Sequence, residues 1–164
     1  MWFHLRPVEL DFLASAPRRW SVEAHVRAPR RAVWEAFVDA PSWPRWFPGV
    51  SEVSYPGGSP PYGVGTRREA VVRGRRWRET ILAWDEGVRW AYRVDAASVP
   101  LARAQIECTE FADDGDGTRL RWTLAAEPRL LLRVTTPFMP RVLGDLLERA
   151  ARNLDRELDG ARRA

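Results

Sequence analysis

Along this chain the apolar positions fall into a helical rhythm in one long stretch, residues 136–159. Phe138, Met139, Val142, Leu143, Leu146, Leu147, Ala150, Leu154 and Leu158 recur at i, i+3, i+4 and i+7, the spacing of an amphipathic helix with one broad apolar stripe. Thr136 is placed to cap it, with Pro137 at the first helical position, where a missing N–H costs nothing. Pro140 still falls in the first turn, whose N–H groups have no helical partner. Gly160 is the expected stop. At 1.5 Å per residue such a helix runs ~35 Å, about the width of a small domain. A helix with so wide an apolar face needs a sheet to lie against.

The rest of the chain alternates with the period of strands. In residues 18–27, Trp20, Val22, Ala24 and Val26 face one way, and Ser21, Glu23 and His25 the other. Ala28-Pro29 ends that strand. Residues 30–38 then read as a short helix with Val33, Trp34 and Phe37 inward, and a second helical turn fits residues 42–47. After a short strand near Val53 come strand candidates at 64–73, 76–84, 89–95, 103–111 and 118–126. Gly74-Arg75 reads as a two-residue hairpin turn, with longer turns at 85–87 and 113–117. Strands run in succession without βαβ alternation, so the class is α+β. Residues 1–17 read as an N-terminal arm that Trp2, Leu5, Val8, Phe12 and Leu13 could pin down, and residues 18–164 as one domain.

Composition narrows the chemistry. The net charge is +4, and all 26 basic residues are Arg. An Arg-only excess lifts the pI to about 10.1 without implying an acidic partner. Nucleic acid is therefore not the expected ligand. One cysteine, Cys108, excludes an intrachain disulfide and a cysteine-rich zinc site. Arg6, Glu9 and Asp11 interrupt the apolar residues of the N-terminus, so no signal peptide is expected. No stretch approaches the ~18–20 apolar residues of a membrane span. A cytoplasmic monomer or homodimer is the simplest expectation. Nine Trp, by contrast, supply flat apolar surfaces that must be buried or must touch something.

The motifs, taken in order, carry a family resemblance. Ala28-Pro29 is followed by Val33-Trp34, by Asp39, by Trp43-Pro44 and Trp46, and by Pro48-Gly49-Val50. Gly65-Thr66, Glu79 with Ile81, Trp84-Asp85, Trp90 with Tyr92, and Gly117-Thr118 before Trp122 come next. The chain resembles the START-like (SRPBCC) superfamily, and within it the polyketide cyclase/dehydrase and lipid-transport group, over roughly residues 20–158. The resemblance implies a helix-grip fold: a curved antiparallel sheet of about seven strands wraps the C-terminal helix and leaves a cavity. It implies a ligand pocket without fixing the ligand.

Alternation assigns faces to that sheet. With Gly74-Arg75 as the turn, residue 70 faces 79 and residue 68 faces 81. Thr66, Arg68, Ala70, Val72, Trp77, Glu79, Ile81 and Ala83 then share the concave side, with Arg67, Glu69, Arg73, Arg76, Arg78 and Thr80 in solvent. Arg68 and Glu79 lie diagonally within reach of each other. Trp90, Tyr92 and Val94 join the concave side. If residues 109 and 120 oppose, so do Gln105, Glu107, Thr109 and Phe111, with Leu120, Trp122 and Leu124, while Glu110 pairs with Arg119 outside. The expected lining is aromatic and aliphatic with sparse polar groups: Arg68, Trp77, Glu79, Ile81, Trp90, Tyr92, Gln105, Glu107 and Trp122 from the sheet, and Met139, Leu143 and Leu147 from the helix. Trp43, Trp46 and Phe47 could gate its mouth, and Gly144 could admit a close neighbour. An internal Arg–Glu pair is as often structural as functional.

No nucleophile with a base and orienting acid is visible, and no metal or cofactor motif; none is expected. His4 and His25 read as surface histidines, and Cys108 falls on the outer face. The leading reading is a protein that binds a lipid, polyketide or aromatic compound. The second is a cyclase/dehydrase-type enzyme of the same pocket, with Glu79 or Glu107 as base, Tyr92 as acid or oxyanion donor, and Arg68 steadying an enolate. The third is an interaction module whose outer Arg residues meet an acidic partner such as RNA or ribosome.

Overall fold

The computed structural model describes residues 1–130 and 136–163. The chain runs β1 (Phe3–His4), α1 (Phe12–Ser15), β2 (Arg18–Val26) and α2 (Arg30–Val38). A 3-10 turn (Ala40–Ser42) leads into α3 (Trp43–Trp46), followed by β3 (Val50–Ser54), β4 (Arg67–Val72) and β5 (Arg75–Asp85). Then come β6 (Arg89–Ala97), β7 (Ala102–Asp114), β8 (Gly117–Pro128), a 3-10 turn (Thr136–Phe138) and α4 (Met139–Arg163). The strands form one antiparallel sheet in the order β2-β8-β7-β6-β5-β4-β3, with β1 added against β6. Strands β3 to β8 thus form a meander, and β2 returns to pair with the last of them. The sheet curls around α4, which packs chiefly along β2 and on α3.

Helix α4 begins later and ends later than the sequence suggests. The Thr136 cap lies outside the described side chains. Gly160 does not stop the helix, which continues to Arg163. A glycine costs a helix only ~1 kcal/mol, and the Ala-Arg-Arg that follows is strongly helix-forming. Leu143, Leu147, Ala150, Ala151 and Leu154 form the buried face. Phe138 and Val142, counted in the apolar stripe, are exposed at 61% and 52%. Two polar ties fix the C-terminal half of α4. Asp155, buried, accepts from the backbone N–H of Arg27 at 2.6 Å and from its Nε at 3.2 Å. Asn153 donates to the Trp46 carbonyl at 3.0 Å. Among the described residues no helix is long and apolar enough to cross a membrane.

Both hairpin registers differ by two residues from the expected ones. The β4–β5 turn is Arg73-Gly74, with Val72 opposite Arg75. Both turn residues are left-handed, φ +50° and +74°, as a type I′ turn requires. Arg68 therefore sits directly opposite Glu79, not diagonal to it. In the β7–β8 hairpin the loop tightens to Gly115-Asp116, so Thr109 faces Trp122, and Glu110 faces Arg121 instead of Arg119. A slip of two leaves every side chain on its expected face.

One face assignment fails. A register shift between Ile81 and Ala83 turns the strand over. Ala83 then packs on the convex side with Ala91 and Cys108, while Trp84 joins the main core and meets Trp34 edge-on. The arm lies on that convex face. Val8 and Phe12 pack with Ala104, Ile106 and Ala125, and Leu10 and Leu13 cover Cys108.

Candidate ligand-binding cavity

Part of the space between the concave face and α4 is left unfilled, and a cavity of about 210 Å³ remains. Its shape follows from the elements around it. Phe37, Trp43 and Phe47, around α2 and α3, close one end. Val50, Ala70, Val72 and Trp77 form the wall of β3, β4 and β5. Trp90, Thr109, Trp122 and Leu124 continue it across β6 to β8 with Leu101, and α4 adds Met139, Leu146 and Leu147. The polar residues of the lining concentrate in two clusters.

The first is the Arg68–Glu79 ion pair. The cross-strand position brings the Arg68 Nη1 and a Glu79 carboxylate oxygen into direct contact. Both side chains are buried, 3% and 5% exposed. The guanidinium is caged by aromatic faces, 4.6 Å from the Trp43 ring centroid, 5.1 Å from Tyr92 and 5.3 Å from Trp90. Such cation–π contacts strengthen when desolvated. Burial pushes the Glu79 carboxyl up to about 7, against the opposing pull of Arg68, with the Glu107 charge adding to the rise. Burial is the largest single influence on Arg68 and disfavours its charge, but the charge and hydrogen bond of Glu79 together with Tyr92 and Tyr55 outweigh it and hold Arg68 above its ordinary value.

The second cluster converges on Glu107. Its Oε2 accepts from the Tyr92 hydroxyl at 2.7 Å and from the Trp122 indole N–H at 3.1 Å. Its Oε1 accepts from the Gln105 amide at 2.9 Å. Three donors on one carboxylate make a satisfied, rigid network. Burial, with the charge of Glu107, holds the Tyr92 phenol well above its usual range. Two buried polar atoms, Arg68 Nε and Trp90 Nε1, have no hydrogen-bond partner among the described residues, and both are donors.

Of the residues singled out from the sequence, Arg68, Trp77, Glu79, Trp90 and Tyr92 line this cavity, as do Gln105, Glu107, Trp122, Met139 and Leu147. Ile81 and Leu143 do not; both are packed into the core. Trp43 and Phe47 are lining residues, whereas Trp46 is sealed in the core and donates to Ser42 Oγ at 3.0 Å. Gly144 does not line the cavity, and a methyl group placed there would meet Val22 Cγ1 at 4.0 Å, an ordinary van der Waals contact. Leu146, expected with Leu147 on the cavity or core face of the helix, lines the cavity, and Phe37, Val50 and Leu101 line it without being singled out by the sequence. The signal for Phe37 is its place beside the Trp-rich turn.

Comparison with solved structures gives the same fold at low identity. A START superfamily protein from Mycobacterium smegmatis superposes with a TM-score of 0.70 at 17% identity, over 87% of this chain and 98% of that one. TTHA0849 from Thermus thermophilus gives 0.69 at 18%, over 88% and 99%. MLL2253 from Mesorhizobium loti gives 0.64 at 18%, over 85% and 98%. No curated protein matches in sequence. The family model described as polyketide cyclase / dehydrase and lipid transport matches residues 17–159. By that match, with a sheet curled around its terminal helix, the chain belongs to this family of the START-like (SRPBCC) superfamily.

Proposed function

We propose that the protein binds a hydrophobic small molecule in the cavity between sheet and helix. The observation that carries this reading is the hollow itself. Protein interiors normally close to crystal-like density, and a void walled by Trp, Phe, Leu and Val is costly unless something fills it. Its few polar groups are buried and held in place by one another. This is the make-up of a small-molecule site, apolar walls with a few placed polar groups. Native mass spectrometry of freshly purified protein tests it. The expected result is a co-purified apolar compound, or saturable uptake of one that shifts Trp fluorescence. Protein that takes up no apolar compound at any concentration contradicts the reading.

One observation favours a second reading, an enzyme of the cyclase/dehydrase type. A carboxyl near neutral pKa beside a fixed cation suits proton abstraction next to a carbonyl. Glu79 would take the proton, and Arg68 would stabilise the enolate oxygen. Glu107 suits the role of base less well, since its oxygens already accept three hydrogen bonds. Glu79→Gln should abolish turnover of a polyketone substrate while only modifying its binding. An acidic partner finds less support. Several outer Arg residues are already laced to carboxylates, as in Arg78–Glu69, Arg93–Asp95 and Arg121–Glu23.

A further inference from the structure

The cavity opens toward one end of the sheet, and the surface around that opening has a chemistry of its own. The half-buried residues of the lining mark where the cavity meets solvent. Val72, Trp77 and Leu101 lie where β4 ends, β5 begins and the β6–β7 turn crosses. Val50 belongs to the same rim, and α4 adds Met139 and Leu146. Glu107 is the one polar residue that is half-buried in the lining, and three donors already hold it. The apolar surface continues outward past the rim. Phe138, which precedes Met139, and Val142, one turn before Leu146, are 61% and 52% exposed. Apolar surface gathered around an opening, unlike single scattered residues, marks an interaction site.

Charge says what that surface meets. The β4–β5 turn sets Arg73 and Arg75 on the rim beside Val72. The Arg73 side chain lies along Gly49, where an added Cβ would meet its Cγ at 3.1 Å, next to Val50. Arg141 stands between Met139 and Val142. All three are exposed. Unlike Arg78, Arg93 and Arg121, none of them forms an ion pair with a described residue. Asp145 is the one acidic residue between Met139 and Leu147. The opposite end of the sheet is acidic. The turns after β5 and β7 carry Asp85, Glu86, Asp113, Asp114 and Asp116, of which Asp85 and Asp113 are paired with Arg89 and Arg30. An oily rim with unpaired arginines is complementary to an anionic bilayer. Its apolar side chains enter the headgroup boundary while its guanidinium groups meet lipid phosphates.

We propose that this end of the protein docks on an anionic lipid bilayer, with Phe138 and Val142 at the headgroup boundary and Arg73, Arg75 and Arg141 on the phosphates. The docking rests on the ligand-binding reading above: the mouth then faces the acyl chains, and an apolar ligand passes between bilayer and cavity without crossing water.

Flotation of the full chain with phosphatidylcholine vesicles, with and without about 30% phosphatidylserine, tests this. The protein should bind the anionic vesicles at least about tenfold more tightly than the neutral ones, and salt at about 1 M should remove most of the difference. Phe138→Ser/Val142→Ser should weaken binding at least about tenfold, and Arg75→Gln/Arg141→Gln by about tenfold or more. Arg67→Gln/Arg119→Gln removes the same charge from exposed positions on the convex face and should change binding less than about twofold. Wild-type protein that ignores anionic vesicles overturns the docking, and decides it even if a variant fails to fold. Binding that survives the loss of Phe138 and Val142, or that falls as much in the convex-face control, overturns it too. So does sedimentation as a dimer that Phe138→Ser/Val142→Ser turns to monomer, which would give this surface to a second copy of the chain. Failure to bind vesicles with a co-purified apolar compound in hand leaves the ligand-binding reading standing. Neither vesicle binding nor uptake of any apolar compound removes both.

Discussion

The Glu79 carboxyl makes the stability of the fold depend on pH in a direction opposite to most carboxylates. In the folded protein it titrates at about 7 against an ordinary 4.5, chiefly because burial disfavours its charge. Below about pH 4.5 it is protonated in both states and contributes no difference. Between 4.5 and 7 the folded state holds a proton that the unfolded state has released, so stability falls as pH rises. By about pH 8 the loss is complete. A rise from 4.5 to about 7, at about 1.36 kcal/mol per pH unit, comes to roughly 3 kcal/mol, most of it lost between pH 5 and 8. For a domain of this size that corresponds to about 5–10 °C in Tm. Other groups titrate over the same range, so the comparison is with Glu79→Gln. That variant removes the proton but keeps the shape and an acceptor for Arg68. Its constant cost, an Arg68 charge without a carboxylate, offsets the curve without tilting it. Thermal unfolding followed by circular dichroism at pH 5, 6, 7 and 8 should show Glu79→Gln gaining about 5–10 °C on the wild type across the series. Parallel curves would refute the reasoning. A wild type that gains on the variant with rising pH would show Arg68 overriding burial.

Three further substitutions test the architecture. Gly144→Ala places a methyl 4.0 Å from Val22 in the second turn of α4, so it should stabilise by about 1 kcal/mol in urea unfolding. Asp155→Ala removes both hydrogen bonds to Arg27 and leaves its backbone N–H without an acceptor. It should cost about 1–3 kcal/mol, and Asp155→Asn should cost less because one acceptor remains. Arg73→Asn relieves a left-handed residue at φ +50° and should raise the urea midpoint by the equivalent of about 0.5–1 kcal/mol.

Much of the architecture is legible because it rests on periodicity. Alternation puts Arg68, Ala70, Val72, Trp77, Glu79 and Ile81 on the correct face despite a turn placed one residue away, since parity survives the resulting register slip of two. Ala83 is misassigned because a bulge breaks parity, and nothing in the alternation before Leu82 marks it. The arm resists placement for a different reason. Its strand has two residues and its helix four, too short for any period to show. In the site, Arg68, Glu79, Tyr92, Gln105 and Glu107 stand out as polar residues on an apolar face. The apolar lining is harder to read. Ile81 and Leu147 look alike in sequence, yet the first is packed and the second borders the cavity. That difference depends on where the curvature of the sheet leaves a gap.

The arm over the convex face turns Cys108 into a built-in reporter. The thiol is the chain's only one, sits beneath Leu10 and Leu13, and is pushed up to about 11 chiefly by its burial. A maleimide or disulfide reagent can reach it only when that cover lifts, so the labelling rate measures how often the first seventeen residues peel away. If filling the interior stiffens the sheet between its two surfaces, a bound guest will slow labelling on the opposite side, and one cysteine becomes an optical assay for occupancy.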